Sequence, residues 1–309
     1  MRENSDLVSP RQAARAMGVS ESSLKRWCDQ GLIRMTRTAG GHRKLPIAEV
    51  LRYVRDHNRP LLHPDLLGLP AASPGAVIGL GRAVPLLVEA LLAGDEIVAR
   101  QLVVDLYAAG HPLALLFDEV IAEAFRQIGD RWECGTAEVY QERRGCQIAL
   151  RTLYDLRRMQ TPPPATGGLA AGGTLEGDPY SLPTTMAELV LREGGWRATS
   201  LGSSLPVDSL IRFIHQQRPA LFWIGVSYLD DPARFLERFA LLSQACTETG
   251  TALVTGGRAL TESLRQRMCY AAYGDTMQHL ATFARTLANS AASGPAGASP
   301  GEASSSPPP

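Results

Sequence analysis

Ser22, Lys25 and Arg26 recur at helical spacing near the amino terminus, and Arg37, His42, Arg43 and Lys44 cluster around Gly40-Gly41. Hydroxyl, imidazole and cationic donors in this pattern suit phosphates and base edges, the chemistry of nucleic-acid recognition. The charge distribution agrees. Residues 1–60 hold 12 Lys+Arg against 6 Asp+Glu, whereas the other 249 residues hold 19 against 25. A chain of zero net charge thus divides into a head of +6 and a body of −6, and only the head invites an anionic partner. No Ser-His-Asp constellation, phosphate loop or metal-ligand spacing occurs, so neither a catalytic residue nor a metal site is expected.

The elements that must position these side chains follow from caps and periodicity. Ser9-Pro10 supplies an N-cap and a first-turn proline for a helix to about Met17, and Gly18 ends it. Ser20 caps a second helix. If its Leu24, Trp27 and Cys28 face the core, Glu21, Ser22, Lys25 and Arg26 point outward. Two helices joined by a Gly-Val-Ser turn form a helix-turn-helix. Residues 34–44 (RMTRTAGGHRK) predict a basic hairpin, or wing, whose tip is permitted by Gly40 and Gly41. A plain solvated basic face on a small helical domain is the competing reading.

Composition bounds the rest. With 45 % apolar, 20 % charged and 6 % aromatic residues, the chain has ample core for a globular protein. Five scattered cysteines without a C-x-x-C spacing argue against a disulfide framework or thiolate zinc site. No run of 18 apolar residues and no hydrophobic leader are seen, so a cytoplasmic protein without membrane contact is expected. Residues 1–58 form the head and the Pro/Gly-rich 59–75 a linker; 76–161 carry three- and four-residue apolar spacing of a four-helix bundle. In 169–290 strands at 169–175, 196–202, 220–228, 251–256 and 269–273 alternate with helices at 184–194, 206–217, 232–248, 260–267 and 275–289. That alternation implies a flavodoxin-like parallel sheet with ligands at the carboxyl ends of its strands. Residues 291–309 are expected to be a disordered tail. The fold class is therefore multidomain α and α/β.

Residues 9–50 (SPRQAARAMGVSESSLKRWCDQGLI…RTAGGHRKLPIAEV) resemble the MerR-type and excisionase-type winged helix. Gly94-Asp95, Gly110, Ile128-Gly129, Trp132, Gly135 and Glu142 resemble the helical cap that precedes cobalamin-binding domains. Ser227-Tyr228-Leu229 and Gly256-Gly257 match two elements of the cobalamin signature. The first element, Asp-x-His-x-x-Gly, is altered to GDPYSLP: Asp178 is kept, but Tyr180 and Pro183 stand where His and Gly belong. The three-part architecture resembles cobalamin-dependent, light-responsive repressors of the CarH/LitR type. That resemblance implies a transcriptional regulator that binds double-stranded DNA as a dimer or tetramer, with RNA polymerase a further partner at the promoter. It implies a cobalamin site with Trp132 and Glu142 above the ring and contacts from Asp178, Tyr180, Ser227, Leu229, Gly256 and Gly257. Arg143 stands where the His of a Glu-His pair belongs, so both cobalt-coordinating histidines are replaced. Cobalamin is then expected to be held weakly, with its own base or water on cobalt. Gly256 and Gly257 are expected to leave room for its nucleotide tail. A pocket for another ligand, a purely architectural dimerisation module, and a corrinoid carrier with an incidental DNA-binding head are the alternatives. Enzymatic activity is not expected.

Overall fold

The computed structural model describes residues 7–38, 41–57, 59, 61–68, 79–164 and 166–292. In the head, helices α1 (Pro10–Ala16) and α2 (Glu21–Asp29) are each capped by a serine, Ser9 and Ser20. Ser9 and Gln12 close a reciprocal capping box. The wing is the antiparallel pair β2 (Thr36–Arg37) and β3 (Arg43–Pro46), followed by α3 (Ile47–Asp56). A two-residue strand β1 (Leu7–Val8), not foreseen from sequence, pairs with the other edge of β3. The tip residue Gly40 lies outside the described residues. Gly41 takes φ +77°, a left-handed conformation that explains a glycine there.

The expected linker is partly structured. Leu62 and His63 donate backbone hydrogen bonds to the Ala16 carbonyl, and a 3-10 turn at Pro64–Leu67 packs on α1 with Leu67 buried. Those leucines cover the open side of α1, which is why the segment does not extend freely. Residues 69–78 and 293–309, which hold the end of the expected linker, the first residues of the expected bundle and most of the expected tail, lie outside the described residues.

The bundle comprises α4 (Leu80–Ala93), α5 (Glu96–Ala108), a third helix and α8 (Val139–Met159). The third helix runs through α6 (Leu113–Leu116), a π-helical turn (Phe117–Ala122) and α7 (Glu123–Glu133). Helix α3 packs against α8, and buried residues of head and bundle, Leu24 and Val50 with Leu87 and Leu153, belong to one continuous apolar core.

The last block is a five-stranded, wholly parallel sheet in the order β5-β4-β6-β7-β8, formed by β4 (Leu169–Gly173), β5 (Arg197–Ser200), β6 (Leu221–Gly225), β7 (Ala252–Gly256) and β8 (Ala272–Tyr273). This is the flavodoxin-like order, with its switch point between β4 and β6. Helices α9 (Leu182–Glu193), α10 (Val207–Gln217), α11 (Pro232–Thr249), α12 (Glu262–Arg265) and α13 (Met277–Ala292) connect and flank the strands. The expected helix at 260–267 shrinks to one turn, and the last strand to two residues. Cap and sheet are tied through α9: Arg157 pairs with Glu188 at 3.1 Å, and Gln160 Nε2 donates to the Leu189 carbonyl at 2.7 Å.

Candidate functional site

Two places combine geometry with chemistry. The first is on the head. Leu24 and Trp27 of α2 are buried, with Tyr53 stacked on Trp27 at 4.8 Å, so Ser22, Lys25 and Arg26 face solvent. The wing folds back beside them, and Lys25, Ser9, Thr38, His42, Arg43 and Lys44 line one cleft of about 490 Å³. Ser22, Arg26, Arg37 and Gly41 lie exposed outside that cleft. A recognition helix and a basic wing thus share one surface, the arrangement needed to read a major groove while contacting adjacent backbone. Asp29 was not singled out from sequence. It accepts from Arg43 Nη1 at 3.4 Å and pins the wing to α2. Lys25 pairs with Glu21 at 3.0 Å, a solvated pair that a phosphate can replace.

The second place is a cavity of about 720 Å³ between the bundle and the carboxyl ends of β6 and β7. The carboxyl ends of the strands expose backbone and loop side chains here, and helices of the bundle form the facing wall. Trp132, Glu142, Tyr180, Ser227, Gly256 and Gly257 converge on it from elements far apart in sequence. Trp132 stands at the rim, 52 % exposed, and so contributes to no core.

Two expected site residues are not brought to this cavity. Asp178 is buried under the loops, where Oδ2 accepts from the Ser227 and Tyr228 amides and Oδ1 from the Tyr180 amide. Burial pushes its carboxyl above the ordinary range against the pull of those amides. Asp178 is therefore a peg that sets where Tyr180 and Ser227 stand. Leu229 turns the other way, into a smaller polar cleft that it shares with Asp178, Asp230 and Arg234. The two glycines also have a different reason from the expected one. A Cβ on Gly256 would lie 2.3 Å from the Gly274 carbonyl oxygen, and one on Gly257 would lie 2.2 Å from that of Val226. Neighbouring backbone by itself demands glycine at both positions.

Residues missed in the sequence complete the cavity. Asp118, on the π-helical turn, accepts from the Met277 and Gln278 amides at 2.8 and 3.0 Å and caps α13. Its surplus residue in the turn gave no periodic signal. Arg258, directly after Gly256-Gly257, reaches the Tyr180 ring at 6.0 Å, and Arg143 lies over the same ring at 4.9 Å. Cys146 faces in from α8, its thiol pushed up to about 11 by burial and then by Glu142.

The donor set is a test of the expected corrinoid. No histidine lines the cavity among the described residues. A histidine at either of the two replaced positions would offer a ring nitrogen to cobalt. In its place Arg143 lies 4.9 Å over the Tyr180 ring, and neither a guanidinium nor a neutral phenol is a ready ligand for cobalt. The cavity fits the size of a large ligand but does not fit one whose metal is coordinated from the two replaced histidine positions.

Comparison with known proteins places both sites in context. Residues 7–58 match the helix-turn-helix domain family, and residues 86–151 match the B12 binding domain family. The chain is 30 % identical over 160 residues to the HTH-type transcriptional repressor CarH of Myxococcus xanthus, a stretch that is 51 % of this chain and 52 % of that protein. It thus spans about half the length of that curated relative. The monomethylamine corrinoid protein of Methanosarcina barkeri superposes on 65 % of this chain and 96 % of its own, with a TM-score of 0.55 and 14 % identity. That likeness shows a shared fold of helical cap and parallel α/β layer. No helix among the described residues is long and apolar enough to cross a membrane.

Proposed function

We propose that this chain is a DNA-binding transcriptional regulator whose helix-turn-helix reader is coupled to a cobalamin-binding-type module acting as sensor or assembly unit. The observation that carries the reading is the cleft in which Lys25 of the recognition helix meets His42, Arg43 and Lys44 of the wing. The match of residues 7–58 to the helix-turn-helix family and the likeness to a repressor support it.

In this reading α2 enters a major groove, where Ser22, Lys25 and Arg26 reach base edges or phosphates. The wing engages the adjacent backbone through Arg37, His42, Arg43 and Lys44. One winged helix covers few base pairs, so specific binding uses two or more copies on paired half-sites. RNA polymerase at the same promoter is a further partner in this scheme. The altered donor set around Tyr180 and Arg143 favours a regulator over a corrinoid carrier, because a carrier must hold the metal firmly.

Selection of bound duplexes from a random pool by the full-length protein tests the reading. Recovery of one paired-half-site sequence, lost on Lys25→Ala plus Arg43→Ala, is the expected result. Enrichment of no sequence, with binding indifferent to both substitutions, would refute it.

A further inference from the structure

Three of the seven charged side chains that line the cavity are engaged by neighbouring residues. Asp118 caps α13, Asp275 accepts a hydrogen bond from the Tyr273 hydroxyl, and Arg126 is held by Glu123 and Asp130. Four charged side chains remain: Glu133 and Glu142 on the Trp132 side, and Arg143 and Arg258 around Tyr180. Glu142 approaches Arg143 only to 4.0 Å, beyond hydrogen-bond reach. Arg258 makes no salt bridge among the described residues; it lies beside the Tyr180 ring, and its charge also reaches the Asp178 carboxylate and the Cys146 thiol. One aromatic ring therefore has two guanidiniums beside it, and each has donor edges that no carboxylate hydrogen-bonds, although Glu142 pairs with Arg143 at 4.0 Å and Asp178 feels Arg258.

The surrounding walls are the opposite in character. Ile121, Phe125, Val139, Leu182, Met186 and Leu280 offer apolar surface continuous with that charged corner. A guanidinium stacked on an aromatic face keeps its planar fork in a fixed direction, and that fork suits the two oxygens of a carboxylate. An apolar chamber of about 720 Å³ is in the range of sites for small ligands, and its convergent polar groups select the headgroup.

We infer that the cavity binds an apolar carboxylic acid, its body against Phe125, Leu182 and Leu280 and its carboxylate between Arg143 and Arg258. The inference rests on the reading of this module as a sensor, but it is measured without DNA and so fails or survives separately. The acid's body is hydrocarbon or fused aromatic, and the two sources are told apart below.

The probe is 1-anilinonaphthalene-8-sulfonate, an apolar anion, added to the full-length protein with excitation through Trp132 and Trp223, both of which line the cavity. Energy transfer to the probe is expected, and Arg143→Gln or Arg258→Gln should each weaken binding about tenfold, the loss of one charge-assisted contact. Both arginines are solvent-facing, so neither substitution threatens folding. Decanoate and 1-pyrenebutyrate are then tested as competitors beside their alcohols, decanol and 1-pyrenebutanol. Displacement by an acid but not by its alcohol supports the inference, and whichever acid competes better identifies the body. Equal competition by acid and alcohol overturns it, as does displacement by hydroxocobalamin alone or binding unaffected by either substitution. Gel shifts on the same variants report the DNA-binding proposal independently.

Discussion

Arg143 on α8 lays its guanidinium over the ring of Tyr180, 4.9 Å from its centroid, and so joins the helical cap to the loop that follows β4. Each residue occupies the place of an expected histidine, and the two replacements touch each other. Such a contact at a partly solvated site is worth about 0.5–1 kcal/mol. Its larger effect is chemical, since a guanidinium and a neutral phenol stand where two ring nitrogens would be offered to a metal.

Hydroxocobalamin mixed with the wild-type protein should therefore keep the absorbance spectrum of the free cofactor at the same pH. Tyr180→His combined with Arg143→Ala supplies a ring nitrogen and removes the guanidinium beside it, and should shift that spectrum. A shifted spectrum with the wild-type chain would contradict the loss of both donors.

On the head, Arg43→Ala should weaken binding to all duplexes alike and lower the salt dependence by about one counterion. A change at Lys25 or Arg26 that removes a base contact should instead alter sequence preference by about 1–3 kcal/mol. Gel shifts over a salt series separate the two behaviours. Asp29→Asn should free Arg43 and remove a negative charge from the proposed DNA-binding surface, raising non-specific affinity.

Gly257 combines φ +129° with the blocked Cβ position, so Gly257→Ala is both strained and obstructed. The backbone strain alone costs roughly 1–3 kcal/mol, and each kcal/mol lowers Tm by roughly 2–4 °C in a chain of this size class. A thermal melt within 1 °C of wild type would show that the loop has room the structure does not indicate.

Cys134 and Cys269 are exposed, whereas Cys146 is half-buried with its thiol pushed up to about 11. Alkylation followed by mass spectrometry should modify the exposed pair first at pH 8. The Cys146 rate should climb only as pH rises toward 11, because the thiolate is the reacting form.

Glu123 accepts from Arg126 and Gln127, which hold its carboxyl down near 2, below the ordinary 4.5. A depressed carboxylate stabilises the fold above its unfolded pKa, and that contribution drains away as pH falls from 4.5 toward 2. Glu123→Gln should thus lower Tm at neutral pH and lose that difference near pH 2. The pair is solvated, so the neutral-pH effect is small.

What the sequence showed and what it hid divide along physical lines. Serine caps, the Gly18 stop and the alternation of strands and helices are local signals, and the elements they predict are present. Trp132, Glu142, Tyr180 and Ser227 were named through a resemblance, and they meet at one cavity. Asp118 and Arg258 depend on contacts between distant segments, which leave no period or spacing. Asp178 and Leu229 were misplaced for a subtler reason: a sequence string shows that residues share a loop but not which way each side chain turns. Leu7–Val8 is too short to show alternation, and its strand exists because β3 offers an unpaired edge.

The apolar core that runs without a break from Leu24 and Val50 into Leu87 and Leu153 has a thermodynamic consequence. Reader and bundle cannot open independently at low cost, since separating them exposes both halves of that core to water. Amide hydrogen exchange should accordingly give α3 and α8 matched protection, rising and falling together with denaturant as one cooperative unit. A perturbation that loosens the bundle would then be felt at the recognition helix as lost order rather than as a displaced rigid body.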